Sequence, residues 1–368
     1  HFDTTRANLE LQGIRATDLF SPALRSRDRA TRFQGNMDVE RLGELLERHG
    51  DAVPLVMLTI TNNTGGGHPV AMENIRAVAR LARQHGKPFL LDACRFAENA
   101  WFIRRHEPGY ADATIEEIVH EAFSLADGFL VSFKKDGMVN MGGGLFLRKD
   151  GAMQRCFPGL AAELTDAQIA REGNPTYGGL SGRDIMALVH GLRTSTDLAY
   201  LGHRIGQVQA LGEGLARAGV PVSLPTGGHA VYIEIDQFFA DTDMPRNGFG
   251  GVALSASLLA AYGHRTCELG AFSFGKVDPH TGEDVLPELN FLRLAIPRLR
   301  YEQQDLDAVV CAVAALHRLR HQISPVDIVY GRELSLRHFK ARLRFRDPEW
   351  VRLLADDEPA IRERRLMA

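Results

Sequence analysis

Two adjacent lysines that directly follow an apolar segment are the first residues whose chemistry stands out in this sequence. Segment 129–132 (FLVS) predicts a buried strand, and Lys134 and Lys135 follow it. A lysine that leaves a strand end and enters a cleft loses hydration, which lowers its pKa and frees its amine to form a Schiff base. On its own, such a pair is more often a solvated strand end.

An aspartate ends a second, strongly apolar segment at 88–93 (PFLLDA). Asp92 stands where α/β folds place ligands, at the carboxyl end of a strand. A buried carboxylate needs a cationic partner, and a protonated pyridine nitrogen is such a partner. Holding that proton makes the ring an electron sink. Asp92 could instead cap a helix or pair with Arg95 at the surface.

A third ionic residue, Arg293, lies in the late apolar segment 290–298 (NFLRLAIPR). An arginine on such a strand is costly unless it is paired, and its planar fork suits a carboxylate such as that of an amino acid. Asp92 at one strand end and Lys135 at a later one form the arrangement of pyridoxal 5'-phosphate (PLP) enzymes with an aminotransferase-like fold. Together these residues indicate PLP-dependent chemistry on an amino acid.

These residues need a framework that brings them together, and the hydrophobic pattern predicts an α/β one. Apolar segments at 53–60, 88–93 and 129–132 predict strands buried on both faces. Amphipathic segments at 72–86 and 114–126 predict helices, the second with a capping-box start. Strand–helix–strand order predicts a mainly parallel sheet covered by helices, as in fold type I of the PLP enzymes.

A Gly/Pro-rich stretch at 173–179 separates this part of the chain from the rest. One long helix is predicted over 182–218, followed by shorter strands and helices. We place the boundary inside that helix, between a PLP-binding large domain at 1–196 and a smaller α/β C-terminal domain at 197–346. The charged stretch 347–368 is predicted to be a surface appendage.

Length and composition are those of an ordinary folded enzyme with two domains. The chain has 368 residues, 45% of them hydrophobic, and its net charge of −3 excludes a strongly basic surface for nucleic acid. No apolar run approaches the roughly 18–20 residues that span a bilayer. Four separated cysteines without a CxxC pair favour a reduced, cytoplasmic protein. His317 and His321 share a helix, but their basic neighbourhood favours a solvated face over a metal pair.

Nine segments, in chain order, resemble the β-eliminating lyases, the family of tryptophan indole-lyase (tryptophanase) and tyrosine phenol-lyase. They are FDTT at 2–5, NNTGGGHPV at 62–70, DACRFAENAWF at 92–102, SFKKDGMVNMGG at 132–143, NPTYGGLSGRD at 174–184, GGHAVYI at 227–233, RTCELGAFSFG at 265–275, LRLAIPR at 292–298 and LRHFKARL at 336–343. The resemblance runs from residue 2 to about 344. It implies PLP-dependent β-elimination of an amino acid.

Carried over residue by residue, the resemblance implies a cofactor site. Lys135 would form the Schiff base with PLP and later move the α-proton of the substrate. Asp92 would keep the pyridine nitrogen protonated. Arg95 would hydrogen-bond the ring oxygen, with Asn63 near that oxygen and the substrate carboxylate, and Phe2 would stack on the ring.

The resemblance also implies contacts around the phosphate and the substrate. Ser132 and Lys134 would lie near the cofactor phosphate, and Arg293 would grip the α-carboxylate of the substrate. The backbone carbonyl of Asn140 would contribute to a site for potassium or another monovalent cation. The family further implies a homotetramer whose active sites are shared between subunits.

Three positions distinguish the two lyases of the family. Asp3 matches the aspartate of tryptophanase, and Leu269 stands where the phenol-lyase has an arginine for the phenol oxygen. His338-Phe339 matches the tryptophanase His-Phe pair. All three favour the cleavage of L-tryptophan to indole, pyruvate and ammonia. We therefore expect Asp3 and His338 to act beside Lys135 in catalysis, and His338, Phe339 and Leu269 to bind the substrate.

Some features depart from the family pattern. Phe133 replaces a small residue and His68 replaces a glutamine, and either could reshape the pocket for another leaving group, such as phenol or a thiol, or for a biosynthetic substrate. The chain begins at His1, whereas the family has an N-terminal segment with a phosphate-gripping loop and a tyrosine acid. We expect those groups to be missing here. A non-catalytic, subunit-like role with a separate N-terminal polypeptide is therefore a further alternative.

Overall fold

The computed structural model describes residues 1–174, 176–334 and 336–355, without the side chains of Asp3 and Ala355. The chain divides into two compact units, the first spanning His1–Ile205 and the second beginning at Gly206. No described helix is long and apolar enough to cross a membrane.

The first unit contains a four-stranded sheet surrounded by helices. Its strands are β1 (Val56–Thr59), β2 (Phe89–Asp92), β3 (Gly128–Ser132) and β4 (Gly143–Leu147). Its helices are α1 (Asp3–Leu11), α2 (Pro22–Ser26), α3 (Val39–His49), α4 (Met72–Gln84), α5 (Phe96–His106), α6 (Ile115–Leu125), α7 (Ala152–Cys156), α8 (Leu160–Glu172), α9 (Gly182–Ser195) and the start of α10 (Leu198–Arg217).

The sheet has the strand order β1-β2-β3-β4, and its first three strands are parallel. Helices connect these three strands, so their carboxyl ends share one edge of the sheet. A turn without a helix connects β3 to β4, and β4 is accordingly antiparallel. The prediction of a mainly parallel sheet is confirmed. The shared edge brings together the residues that follow Thr59, Asp92 and Ser132.

Helix boundaries in this unit follow the local signals of the sequence. Helix α6 begins with the predicted capping box, in which the Glu117 amide donates to Thr114 Oγ1 at 3.2 Å and the Thr114 amide donates to the Glu117 carboxylate at 2.8 Å. Helix α4 ends just before Gly86, whose φ of +64° reverses the chain. Its apolar stripe, which includes Ile75 and Val78, is fully buried against the sheet region.

The prediction of one long helix over 182–218 is wrong. Helix α9 ends at Ser195 and α10 begins at Leu198. The break falls in the run Thr194-Ser195-Thr196-Asp197, whose short polar side chains compete for backbone hydrogen bonds. Ser195 Oγ donates to the Leu192 carbonyl at 2.9 Å, and the Asp197 carboxylate accepts from the Tyr200 amide at 2.7 Å, as an N-cap does.

The second unit is built around a three-stranded antiparallel sheet of order β5-β9-β6. Its strands are β5 (Ala230–Glu234), β6 (Cys267–Leu269), β7 (Lys276–Val277), β8 (Asp284–Val285), β9 (Phe291–Ala295), β10 (Val326–Tyr330) and β11 (Arg342–Phe345). Its helices, besides the end of α10, are α11 (Ile235–Phe238), α12 (Gly250–Tyr262), α13 (Ala271–Phe274), α14 (Gln303–Arg318), α15 (Arg337–Lys340) and α16 (Pro348–Ala355).

Both faces of strand β5 are buried, each against a different set of side chains. Val231 and Ile233 point to one face and join the main apolar core of the unit. Ala230 and Tyr232 point to the opposite face and pack in a smaller cluster with Leu269. Arg293 of β9 lies on this second face, as the cross-strand neighbour of Tyr232.

The stretch predicted to be a surface appendage contains helix α16, which packs into the core. Trp350 is 3% exposed, and its indole N–H donates to Ser257 Oγ of α12 at 3.1 Å. Because this stretch is rich in charged residues, its sequence pattern does not indicate that one side of the short helix is apolar. Residues 356–368 lie outside the described part, and the domain limits near 196 and 346 stay a prediction.

Candidate active site

Lys135 lies in the turn that follows β3, at the shared edge of the sheet. Its Nζ donates a hydrogen bond to Ser132 Oγ at 3.1 Å and lies 5.6 Å from the centre of the Phe2 ring. The side chain is half-buried. The predicted Schiff-base lysine, phosphate-contacting serine and stacking phenylalanine are therefore neighbours.

The environment of Lys135 shifts its amine towards the neutral form. Burial lowers the pKa of Lys135, and the charges of Arg95 and Lys134 act in the same direction, whereas Cys94 and Asp92 oppose the shift. A lowered pKa leaves more of the amine unprotonated near neutral pH. This is the state in which an amine attacks an aldehyde.

Asp92 ends β2 as a buried carboxylate that is 2% exposed. The Cys94 thiol donates to its Oδ1 at 3.0 Å. Burial, followed by the charge of Asp92, raises the pKa of Cys94 to about 11, so this sulfur stays protonated at neutral pH. Cys94 was not among the residues predicted for the site, although it lies within the motif that contains Asp92.

Arg95 connects this strand end to the loop after β1. Its side chain is 7% exposed and donates from Nη1 to the Thr61 carbonyl at 3.3 Å, while its amide donates to the Ile60 carbonyl at 3.1 Å. Asn63, two residues further along this loop, is 3% exposed. Asp92, Arg95 and Asn63 thus belong to adjacent segments at one edge of the sheet.

The glycine-rich loop after β1 is held in place from two sides. Asn99 of α5 binds the backbone of Val70 twice, accepting from its amide at 2.8 Å and donating to its carbonyl at 3.0 Å. Thr64 Oγ1 donates to the carbonyl of His1 at 2.8 Å, directly before Phe2. The loop therefore connects the stacking residue to the rest of the site.

Asp136, directly after Lys135, is a buried carboxylate whose position the sequence does not predict. Its carboxylate is 1% exposed and accepts from the amides of Ala97 at 2.8 Å and Glu98 at 3.4 Å, at the N-terminus of α5. A helix N-terminus stabilises a negative charge. Asp136 therefore ties the turn that carries Lys135 to the helix that follows Arg95.

Helix α5 itself was not predicted, because it lacks an amphipathic pattern. Its buried residues include the polar pair Glu98 and Asn99 as well as apolar ones on several sides. Glu98 is paired with the buried Arg204, with 3.3 Å between Oε1 and Nε. A helix surrounded on most sides shows no polar stripe in its sequence.

In the second unit, Arg293 lies on β9, the middle strand of the three-stranded sheet. Its cross-strand neighbours are Tyr232 on β5 and Cys267 on β6, so the three side chains share one face. Arg293 Nε is buried and has no hydrogen-bond partner among the described residues. A buried cationic donor without a partner is costly, and a bidentate carboxylate matches its geometry.

Leu269 ends β6 on the same sheet and is 4% exposed. It packs with Ala230, Tyr232 and Phe291 in an apolar and aromatic cluster. The hydroxyl of Tyr232 is hydrogen-bonded to the His229 ring at 3.0 Å. The side chains that pack around Leu269 are thus mainly apolar.

His338 and Phe339 lie on the short helix α15, with 4.1 Å between their ring centres. Phe339 is 67% exposed, whereas His338 is half-buried. Arg337 directly precedes them and is 3% exposed. Burial lowers the pKa of Arg337, and the charge of Asp284 acts in the opposite direction. No local pattern in the sequence distinguishes Arg337 from the other basic residues near it.

The other predicted residues have less defined surroundings. Lys134 and Asn140 are exposed. Asp3 is the first residue of α1, and its side chain lies outside the described part. Phe133 packs with the core of the first unit, where a Cβ added to Gly144 would lie 3.0 Å from its ring. Within the described ranges, no group of three or more His, Cys, Asp or Glu residues could hold a metal ion.

Comparison with known proteins gives one family and several close relatives. A family model described as Beta-eliminating lyase matches residues 1–312. Tryptophanase of Salinibacter ruber is 43% identical over 351 residues, which are 95% of this chain and 72% of that protein. Tryptophanase of Rhodobacter capsulatus is 44% identical, covering 93% and 72%. Tyrosine phenol-lyase of Lacrimispora saccharolytica is 38% identical, covering 96% and 73%.

Proposed function

Because the chain belongs to the beta-eliminating lyase family of PLP-dependent enzymes, we propose that it catalyses the β-elimination of L-tryptophan to indole, pyruvate and ammonia. The observation that carries this proposal is the apolar and aromatic packing around Leu269. The two tryptophanases compared above also share more identical residues with the chain than the tyrosine phenol-lyase does.

The residues at the carboxyl ends of the parallel strands fit PLP. Burial lowers the pKa of Lys135, which favours the neutral amine that attacks an aldehyde, and Asp92 is a buried carboxylate suited to a cationic ring nitrogen. We propose that Lys135 holds the cofactor and that Asp92 pairs with its nitrogen. Bound PLP supplies a ring that stabilises negative charge at the substrate α-carbon.

Five further side chains complete the proposed cofactor site. Arg95 and Asn63 would bind the ring oxygen, and their burial keeps water away from these contacts. Phe2 would stack on the ring, since it already lies next to the Lys135 amine. Ser132 and Lys134 would contact the phosphate. These roles rest on the family resemblance and are compatible with the described contacts.

In the proposed reaction, Arg293 holds the α-carboxylate of the substrate and Lys135 takes the proton from its α-carbon. The Nε of Arg293, which lacks a partner among the described residues, supports the first role. As its bond to the β-carbon breaks, the leaving group gains a proton on the departing carbon, and we propose that Lys135 returns the α-proton to it. Water then hydrolyses the remaining fragment to pyruvate and ammonia. We propose that Asp3 accepts a hydrogen bond from the indole N–H, that His338 takes part in catalysis, and that Phe339 is a further substrate contact.

Two further parts of the proposal, a cation site and the oligomeric state, rest on the resemblance alone. A potassium ion or another monovalent cation would bind the carbonyl of Asn140, an exposed residue in the connection between β3 and β4. The chain would form a homotetramer with shared active sites. From the separated cysteines and the Gly/Pro-rich stretch at 173–179, we further propose a cytoplasmic protein with a large domain at 1–196 and a smaller one at 197–346.

The substrate proposal predicts a clear order among amino acids. With saturating PLP, we expect a kcat/KM for L-tryptophan at least about tenfold above that for L-tyrosine, because a phenol oxygen would meet apolar surroundings without a hydrogen-bond partner. Pyruvate release, coupled to NADH oxidation, measures this for tryptophan, tyrosine and S-methyl-L-cysteine. A higher value for either competitor would replace tryptophan as the substrate. PLP binding without any turnover would favour the subunit-like role.

We propose that Leu269 determines the preference for tryptophan over tyrosine. A charged substitution at this position tests that role. We expect Leu269→Arg to lower kcat/KM for tryptophan about 10- to 100-fold, because it places a cation in an apolar cluster, and to lower it less for tyrosine. Steady-state kinetics with both substrates gives the ratio. Leu269→Met, which keeps an apolar side chain of similar volume, is the control and should keep the wild-type order. An unchanged ratio in Leu269→Arg would exclude this residue as a determinant.

A further inference from the structure

Arg337 is a buried cation whose contacts join two elements of the second unit. It opens helix α15, and its guanidinium donates from Nε to the Phe272 carbonyl at 2.8 Å and from Nη2 to the Ala271 carbonyl at 2.9 Å. Both acceptors belong to α13, the short helix that follows β6. One planar fork therefore binds two successive carbonyls, a geometry that lysine cannot reproduce.

The same guanidinium is fixed on its remaining sides. It lies 5.5 Å from the centre of the Phe249 ring and 5.6 Å from that of Phe272. Its Nη1 lies 3.7 Å from Asp284 Oδ1. Gly275 leaves room for it, because a Cβ there would lie 2.6 Å from Arg337 Nη2. Charge, aromatic faces and close packing together hold this side chain in one place.

Helix α13 is also held through its amides, by a residue of β6. The Glu268 carboxylate accepts from the amides of Phe272 at 3.0 Å and Ser273 at 2.9 Å. Glu268 directly precedes Leu269, and Arg337 directly precedes His338. Helix α13, held through its amides on one side and its carbonyls on the other, thus connects the strand end that carries Leu269 to the helix that carries His338.

We propose that Arg337 is a positioning residue that sets the leaving-group preference of the enzyme by holding His338 in a fixed relation to Leu269. This inference rests on the proposed function, in which those two residues contact the leaving group. Arg337 itself touches neither substrate nor cofactor. Its loss would release α15 from α13 and misplace His338, and a misplacement of about 1 Å can cost about 100-fold in rate.

The test compares Arg337→Lys with Arg344→Lys, a matched change at an exposed arginine of the same unit. We expect Arg337→Lys to lower kcat/KM for L-tryptophan about 10- to 100-fold and to leave that for S-methyl-L-cysteine, whose leaving group is small, close to wild type. The visible absorption of bound PLP should be unchanged, because its proposed ligands lie in the other unit. Arg344→Lys should match wild type in all three measurements.

Asp284→Asn is a milder second variant, for the case that Arg337→Lys does not fold. It weakens the ion pair but keeps both carbonyl contacts. We therefore expect a smaller decrease in kcat/KM, and only for tryptophan. The inference is overturned if the variant that folds shows equal decreases in kcat/KM for both amino acids. It is also overturned if kcat/KM for tryptophan does not decrease. A wild-type enzyme that turns over S-methyl-L-cysteine but not tryptophan would instead overturn the proposed substrate.

Discussion

Lys135→Ala is expected to abolish elimination, with kcat falling by at least about 10⁴-fold for every amino acid tested. Two proposed functions are lost with one amine: the covalent attachment of PLP and the removal of the substrate α-proton. The half-buried amine hydrogen-bonds Ser132, and burial lowers its pKa. Neither neighbour of Lys135 in the turn replaces it, because Lys134 is exposed and the Asp136 carboxylate caps α5.

Two measurements separate the loss of attachment from the loss of turnover. Borohydride reduction after PLP addition should add one cofactor to wild type, visible by mass spectrometry, and none at this site in Lys135→Ala. Lys149→Ala, at an exposed lysine of the same unit, is the matched control and should behave as wild type. Reduction that still modifies the first unit of Lys135→Ala at one defined residue would assign the attachment to another lysine.

The pH dependence of attachment follows from the same environment. Because burial lowers the pKa of Lys135, its neutral amine is populated at a lower pH than in an exposed lysine. Attachment of PLP should therefore persist towards neutral pH and be lost only as the pH falls below the lowered pKa.

The residues at the strand ends could be predicted because their signal is local. Asp92 ends one segment of apolar residues and Lys135 follows another, and a polar residue near the end of a buried strand stands out in a single sequence. Arg293 stood out in the same way, as a charge within an apolar strand. The short apolar segments also predicted the sheet, since strands buried on both faces read as continuous runs.

The supporting contacts could not be predicted, because they depend on packing between distant segments. Asp136 reads as one more charge beside two lysines until α5 is present to receive its carboxylate. Arg337 reads as part of a basic motif, although its partners Ala271 and Phe272 lie far earlier in the chain. The neighbours of Arg293 follow from strand register, which no local pattern specifies.

The unpredicted break at 196–197 has a different cause. The apolar residues on both sides of it have helical spacing, which favours one long helix. Asp197 instead caps a new helix through the Tyr200 amide. In this case a capping residue outweighs hydrophobic periodicity, since a new N-terminus satisfies its own amides.

Asp92→Asn is expected to lower kcat for L-tryptophan by about 10²- to 10³-fold while the protein still binds PLP. Asparagine has the same shape, and its amide oxygen can still accept from the Cys94 thiol, which lies 3.0 Å from Oδ1 in the wild type. The substitution therefore removes the negative charge and little else. Without that charge the ring nitrogen loses the partner that keeps its proton, and the ring withdraws electrons less strongly.

Asp92→Asn should slow the removal of the proton from the substrate α-carbon. Deuterium exchange into recovered tryptophan, followed by NMR, measures this step directly. Asp150→Asn, at an exposed aspartate of the same unit, is the matched control and should exchange at the wild-type rate. A PLP analogue methylated on its ring nitrogen carries a permanent positive charge. It should partly restore exchange in Asp92→Ala, which leaves room for the methyl group, and not in Lys135→Ala. Wild-type exchange in Asp92→Asn would show that ring protonation does not depend on this carboxylate.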